Sequence, residues 1–83
     1  MPNEPLVSVI VPVYNEEATL EELLNRLRRA PFRKEIIVVD DGSKDKTPEI
    51  LAEQADIIAV RHERNRGKGA AIRTAIQHAT GDI

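Results

Sequence analysis

Residues Leu6 to Glu17 read Leu-Val-Ser-Val-Ile-Val-Pro-Val-Tyr-Asn-Glu-Glu, and no other stretch limits the available folds so strongly. Val7, Val9, Ile10, Val11 and Val13 form a β-branched apolar run, the pattern of a strand buried on both faces. Its character changes abruptly at Tyr14. Asn15 is a good helix N-cap, and Glu16 and Glu17 fall in the first helical turn, where the helix dipole favours carboxylates. A buried strand therefore runs directly into a helix. In parallel α/β sheets the carboxyl end of a strand is where ligands bind.

The rest of the chain repeats this alternation. Residues 1–5 carry two prolines and no periodicity and read as a disordered lead-in. The first strand is expected over Leu6 to Val13, with Pro12 near its end, where a missing backbone donor is tolerated. A helix over Glu16 to Arg29 follows, with Ala18, Leu20, Leu23, Leu24 and Leu27 on one face. Strand two spans Glu35 to Val39 and ends in the turn signal Asp40-Asp41-Gly42-Ser43. Thr47-Pro48-Glu49 supplies an N-cap, a first-turn proline and an acid for a short helix over Pro48 to Gln54. Strand three is Ile57 to Arg61. After a polar loop, a helix is expected from Lys68 to Thr80, and Gly81-Asp82-Ile83 reads as the entry to a fourth strand. The βαβαβα pattern predicts a three-layer α/β fold with a parallel sheet and right-handed crossovers. Strand order 3-2-1 puts the first two helices on one face and the third on the other. Without a fourth strand, strand one is a bare edge.

Composition narrows the function classes. The 83 residues suffice for one small domain, and its core must rest on Val, Ile, Leu and Ala, because there is one Phe, one Tyr, one Met and no Trp. The absence of cysteine excludes disulfides and thiolate metal sites. A net charge of −2 from fourteen acids and twelve bases argues against nucleic acid as a partner. The longest apolar run falls far short of the ~20 residues of a membrane span, and no signal peptide is visible. The segment reads as soluble and cytoplasmic.

Two constellations can carry chemistry. Asp40-Asp41-Gly42-Ser43 ends strand two, beside the Tyr14 junction. A carboxylate there accepts the imide N–H of uracil, or the N1–H and amino group of guanine as a pair. Adenine and cytosine offer no comparable ring N–H. The blander alternative is that both acids turn the chain and cap local amides. A metal-binding pair is a third reading, but adjacent acids project differently and nothing nearby completes a ligand set. The second constellation is Asn65-Arg66-Gly67-Lys68-Gly69, where glycines before a helix allow close backbone approach and the helix start favours phosphate. Its alternative is a solvated basic loop. It is not a P-loop, since Ala70 follows Gly69 where Lys-Ser/Thr is required. Nor is it a dinucleotide fingerprint, since Ile72 stands at the third glycine and the motif follows the third strand. Tyr14 can lie against a base or ribose, or be a half-buried edge aromatic. Glu16 can reach a ribose hydroxyl. His62 and His78 have no partner at convincing spacing and read as surface histidines.

Together, Val11-Pro12-Val13-Tyr14-Asn15-Glu16-Glu17, Val38-Val39-Asp40-Asp41-Gly42-Ser43 and Asn65-Arg66-Gly67-Lys68-Gly69-Ala70-Ala71 resemble family 2 glycosyltransferases with the GT-A fold. The resemblance runs from about Val7 to Ile83 and points to the dolichyl- or polyprenyl-phosphate mannosyl/glucosyltransferase branch. It implies the N-terminal half of a GT-A nucleotide-binding domain. Pro12, Tyr14, Asn15 and Glu16 would line a nucleotide-sugar pocket. Asp41 would bind the base with Asp40 supporting, and Gly67, Lys68 and Gly69 would lie near base, ribose or phosphates. The donor would be UDP- or GDP-linked, and the acceptor a membrane lipid phosphate or another hydroxyl, at the cytoplasmic face of a membrane.

The same resemblance implies what is missing. The family's Asp-x-Asp metal motif belongs at the end of a fourth strand, and the sequence stops at Asp82-Ile83 as that strand begins. No metal site is expected in this chain, although the complete enzyme would use Mg or Mn. Without that cation and a general base the chain alone is expected to be inactive. A competing class is a non-catalytic nucleotide-binding or assembly module that self-associates through the exposed first strand. A Rossmann-type oxidoreductase is more distant, because it needs its glycines where Tyr14-Asn15-Glu16 stands.

Overall fold

A computed structural model describes residues 4–83. Met1 to Asn3, part of the expected lead-in, lie outside the described residues. The elements follow the expected order: β1 (Val7–Val13), α1 (Leu20–Arg29), β2 (Lys34–Asp40), α2 (Thr47–Ala52), β3 (Ile57–Arg61) and α3 (Lys68–His78). The strands form one parallel sheet in the order β1-β2-β3, with Val13 beside Asp40 and Asp40 beside Arg61. All three carboxyl ends thus lie along one edge.

Because β2 is central, alternate side chains must be buried on opposite faces. Ile36 and Val38 join Val11, Val13, Leu20, Leu24 and Leu51 beneath α1 and α2. Ile37 and Val39 face the other way and pack on Ala71 and Ala75 of α3. The small alanines let α3 approach the sheet closely.

Helix α1 begins four residues later than its apolar stripe suggested, and Asn15 is not its N-cap. Asn15 takes a left-handed conformation, φ 53°, which asparagine tolerates better than most residues. The loop after β2 then claims three successive amides. Asn15 N–H donates to Ser43 Oγ at 2.8 Å, Glu16 N–H to Thr47 Oγ1 at 2.9 Å and Glu17 N–H to Asp45 Oδ2 at 3.1 Å. Thr47 likewise opens α2 as a helical residue instead of capping it. Its own N–H donates to Asp45 Oδ1 at 2.8 Å. Side chains remote in sequence therefore replace the local caps.

Helix α3 ends at His78, two residues early, because Glu35 captures the turn that follows. Its carboxylate accepts from Ser8 Oγ at 2.6 Å, Thr80 N–H at 2.6 Å, Thr80 Oγ1 at 2.8 Å and Gly81 N–H at 3.1 Å. The clamp turns the chain back along β1. Ile83 N–H donates to Leu6 O at 3.3 Å and Ile83 O accepts from Ser8 N–H at 2.8 Å, the bond pair of parallel strands. The outer edge of β1 is thus covered at its start, and it is not bare along its whole length as the sequence suggested.

Glu35 also yields a pH prediction. The Ser8 hydroxyl, then the Thr80 amide and hydroxyl, lower its carboxyl from 4.5 to about 2 against a smaller opposing effect of burial. A depressed carboxyl stabilises the fold fully above 4.5, and its contribution fades as pH falls through about 2. NMR titration should find Glu35 still ionised at pH 3, with Thr80 and Gly81 amide signals collapsing only below that. Midpoint titration near 4.5 would show that the clamp does not form in solution.

Candidate functional site

The functional edge is built by β1, β2 and the loop between β3 and α3. At the end of β2 the strand period sends Asp40 and Asp41 to opposite sides. Asp40 turns toward α2, where it is 1% exposed. Its Oδ1 accepts from Ser43 N–H at 2.9 Å, and its Oδ2 faces the Arg61 guanidinium at 3.6 Å. It borders a small apolar hollow with Pro48, Leu51 and Ala52. For Asp40 the chain-turning alternative describes the geometry, and it does not join Asp41 in a shared site.

Asp41 turns the other way and is 4% exposed. Its Oδ1 accepts from His62 Nδ1 at 2.8 Å and from Arg66 N–H at 2.9 Å, and its Oδ2 accepts from Gly67 N–H at 2.9 Å. Burial works to raise its pKa. The His62 ring and the Arg66 and Gly67 amides outweigh that and hold the carboxyl below its ordinary value. A buried, ionised acceptor results.

Above it opens a cleft of about 350 Å³, lined by Pro12, Tyr14, Glu16, Asp41, Asn65, Gly67 and Lys68. Six of these were expected from sequence, and three separate segments supply them. Tyr14 is 41% exposed and so presents a free ring. Gly67, at φ 95°, holds a conformation that lets its N–H face Asp41. Three expected residues stay out, Asp40 among them. Asn15 spends its side chain on Lys44 N–H at 2.8 Å, and Gly69 lies in the first turn of α3 beside Arg73.

His62 corrects the sequence reading most sharply. It is 6% exposed, bonded through Nδ1 to Asp41 and through Nε2 to Thr74 Oγ1 at 2.8 Å. An ionised carboxylate only accepts, so Nδ1 carries the hydrogen. The missed signal lies in the register: β2 and β3 pair Asp40 with Arg61, so the next residues, Asp41 and His62, become neighbours. His78 is exposed, as expected.

Residues 8–83 match the family model described as Glycosyl transferase family 2. The chain belongs to glycosyl transferase family 2. Among relatives, an undecaprenyl-phosphate 4-deoxy-4-formamido-L-arabinose transferase of Pseudomonas aeruginosa is 44% identical, over 94% of this chain and 26% of its own length. The corresponding transferase of Pectobacterium atrosepticum is 47% identical, over 93% of this chain and 26% of its own length. The chain thus spans about a quarter of these relatives. A mannosyltransferase from Pyrobaculum calidifontis, solved with GDP-Man and Mn2+, superposes with a TM-score of 0.86 at 36% identity, covering 95% of this chain and 26% of that one. TarS of S. aureus, solved with UDP, gives 0.84 at 36% identity over 92% of this chain and 25% of that one. The fold is that of the GT-A glycosyltransferases.

One of these solved structures holds Mn2+. Among the described residues no three His, Cys, Asp or Glu side chains converge to hold one. Asp40 and Asp41 diverge across the sheet, which removes the paired-carboxylate reading. No described helix is long and apolar enough to cross a membrane.

Proposed function

We propose that this chain forms the nucleotide-holding part of a transferase that moves a hexose from a UDP- or GDP-linked sugar to a polyprenyl phosphate or another hydroxyl acceptor. One observation carries the reading: Tyr14, Asp41 and Lys68, from three separate segments, line one cleft at the carboxyl edge of the sheet. Each has a chemical role there. Asp41 accepts the ring N–H of the base, Tyr14 lies against base or ribose, and Glu16 takes a ribose hydroxyl. Lys68 and the approach to α3 meet the phosphates. The names of the relatives, which act on undecaprenyl phosphate, support a lipid acceptor at the membrane surface.

In the complete reaction the acceptor oxygen attacks the anomeric carbon, and the nucleoside diphosphate departs with the bonding electrons. A divalent cation would neutralise that leaving group. Among the described residues no set of ligands for it converges, and the role proposed for the 83 residues is to hold the nucleotide. Calorimetric titration with UDP and GDP is the test. Millimolar or tighter binding of one of them is expected, and absence of heat from both, with the chain folded by circular dichroism, would sink the proposal.

A second reading is an assembly module that pairs with another copy through the outer edge of β1, along which only Leu6 and Ser8 carry backbone bonds to the 82–83 segment among the described residues. Sedimentation decides it: association with concentration, indifferent to nucleotide, would favour it.

A further inference from the structure

A carboxylate has two oxygens and about four lone-pair positions. Three of those on Asp41 are filled from within the protein. Oδ1 accepts twice, from His62 Nδ1 and Arg66 N–H, and Oδ2 accepts once, from Gly67 N–H. Oδ1 is therefore full, and a single acceptor position remains, on Oδ2. We infer that the cleft selects a base offering one imide N–H, the chemistry of uracil or thymine, and discriminates against guanine. This rests on the nucleotide reading above.

The reason is a count of donors. Guanine presents N1–H and its amino group side by side, and a carboxylate satisfies them only with both oxygens. Here one of the two donors would meet an oxygen already saturated, and it would lose water without gaining a partner. The imide N–H of uracil is a single donor flanked by two carbonyls. The Asn65 amide and Lys68 ammonium, on the same cleft, are donors of the kind those carbonyls accept. Cytosine and adenine bring no ring N–H to Oδ2. Glu16 is the other carboxylate on the cleft, but it is solvent-exposed and its Oε2 already accepts from Thr19 Oγ1 at 2.9 Å. Likeness to solved relatives leaves the base open, since one holds GDP-Man and another UDP.

His62 is the residue that closes the count. It occupies the second position on Oδ1, and Thr74, at 2.8 Å from Nε2, fixes its ring. It touches no substrate. It sets specificity by positioning and saturating Asp41.

Amide-resolved NMR of the 83-residue chain, titrated with UDP, dTDP, GDP and CDP, tests this through the Arg66 and Gly67 N–H signals. UDP should bind at least about tenfold more tightly than GDP or CDP, the ratio one unmatched hydrogen bond produces. dTDP shares the imide, and its affinity relative to UDP tells the two sources apart. GDP binding as tightly as UDP overturns the inference while leaving a nucleotide site in place. No shift with any nucleotide in a folded chain overturns both. His62→Phe fills the ring space and donates nothing, so Asp41 loses the contact that fixes its carboxylate and can turn a free Oδ1 position toward the cleft; the UDP:GDP ratio should shrink several-fold, whereas His62→Asn keeps a donor and should preserve the ratio. An unchanged ratio in His62→Phe removes His62 from the mechanism. The parent chain's ratio decides the base assignment even where a variant does not fold.

Discussion

Asp41→Asn is expected to leave the chain folded and to abolish UDP binding at concentrations where the parent chain binds. The asparagine oxygen can still accept from His62 and Arg66, as Asp41 Oδ1 does. Its NH2 group then replaces Oδ2 and meets the Gly67 N–H, donor against donor. The Gly67 N–H keeps Asn65 Oδ1 at 3.1 Å but loses Asp41, at a cost of about 1 kcal/mol of stability, readable in urea denaturation. The larger effect is on binding. Where the parent chain presents an acceptor to the imide N–H, the variant presents a donor, so UDP affinity should fall by at least about a hundredfold, below detection. CDP, whose ring N3 accepts, should gain relative to UDP. Retention of UDP binding within about twofold would mean that Asp41 does not hold the base.

Gly42→Ala is expected to cost about 3 kcal/mol or more, a large share of what so small a domain has in reserve. Gly42 sits at φ 79°, a conformation that side chains rarely adopt. A methyl group there would lie 2.5 Å from the Arg64 carbonyl carbon and 2.6 Å from the Asn65 nitrogen. Both are backbone atoms, so no rotamer change relieves the clash. The loop must move, and this loop delivers the Arg66 and Gly67 amides to Asp41. Lower stability and weaker nucleotide binding should therefore appear together. An unfolding free energy, from urea titration, within about 0.5 kcal/mol of the parent chain's would show that the turn and loop are packed loosely enough to admit a methyl group.

The contrast between Asp40 and Asp41 shows where sequence reading stops. The pair is adjacent, both are acidic, and both end the same strand, so sequence weighed them together. The pleat of β2 separates them, one to the α2 face as a turn anchor and one to the cleft. Asn15 and Thr47 show a related limit. Each is a sound N-cap by type, yet the chains that meet at the sheet edge give their groups other partners. Local preference lost to tertiary hydrogen bonds that bury more polar groups at once.

The sequence by itself determined the alternation of strands and helices, the parallel sheet in 3-2-1 order, and the segments that face the functional edge. Those follow from period, β-branching and turn chemistry, which act within a few residues and are written locally. Only the tertiary structure decided which acid reaches the cleft, that His62 is buried against it, and how many acceptor positions Asp41 has left. Those depend on strand register and loop approach between residues 21 to 26 apart in the chain, where a hydrogen bond has no local signature. The first strand is again the example. Its apolar run foretold the fold, while the cover along its start depends on Glu35 gripping Thr80 and Gly81 across the sheet.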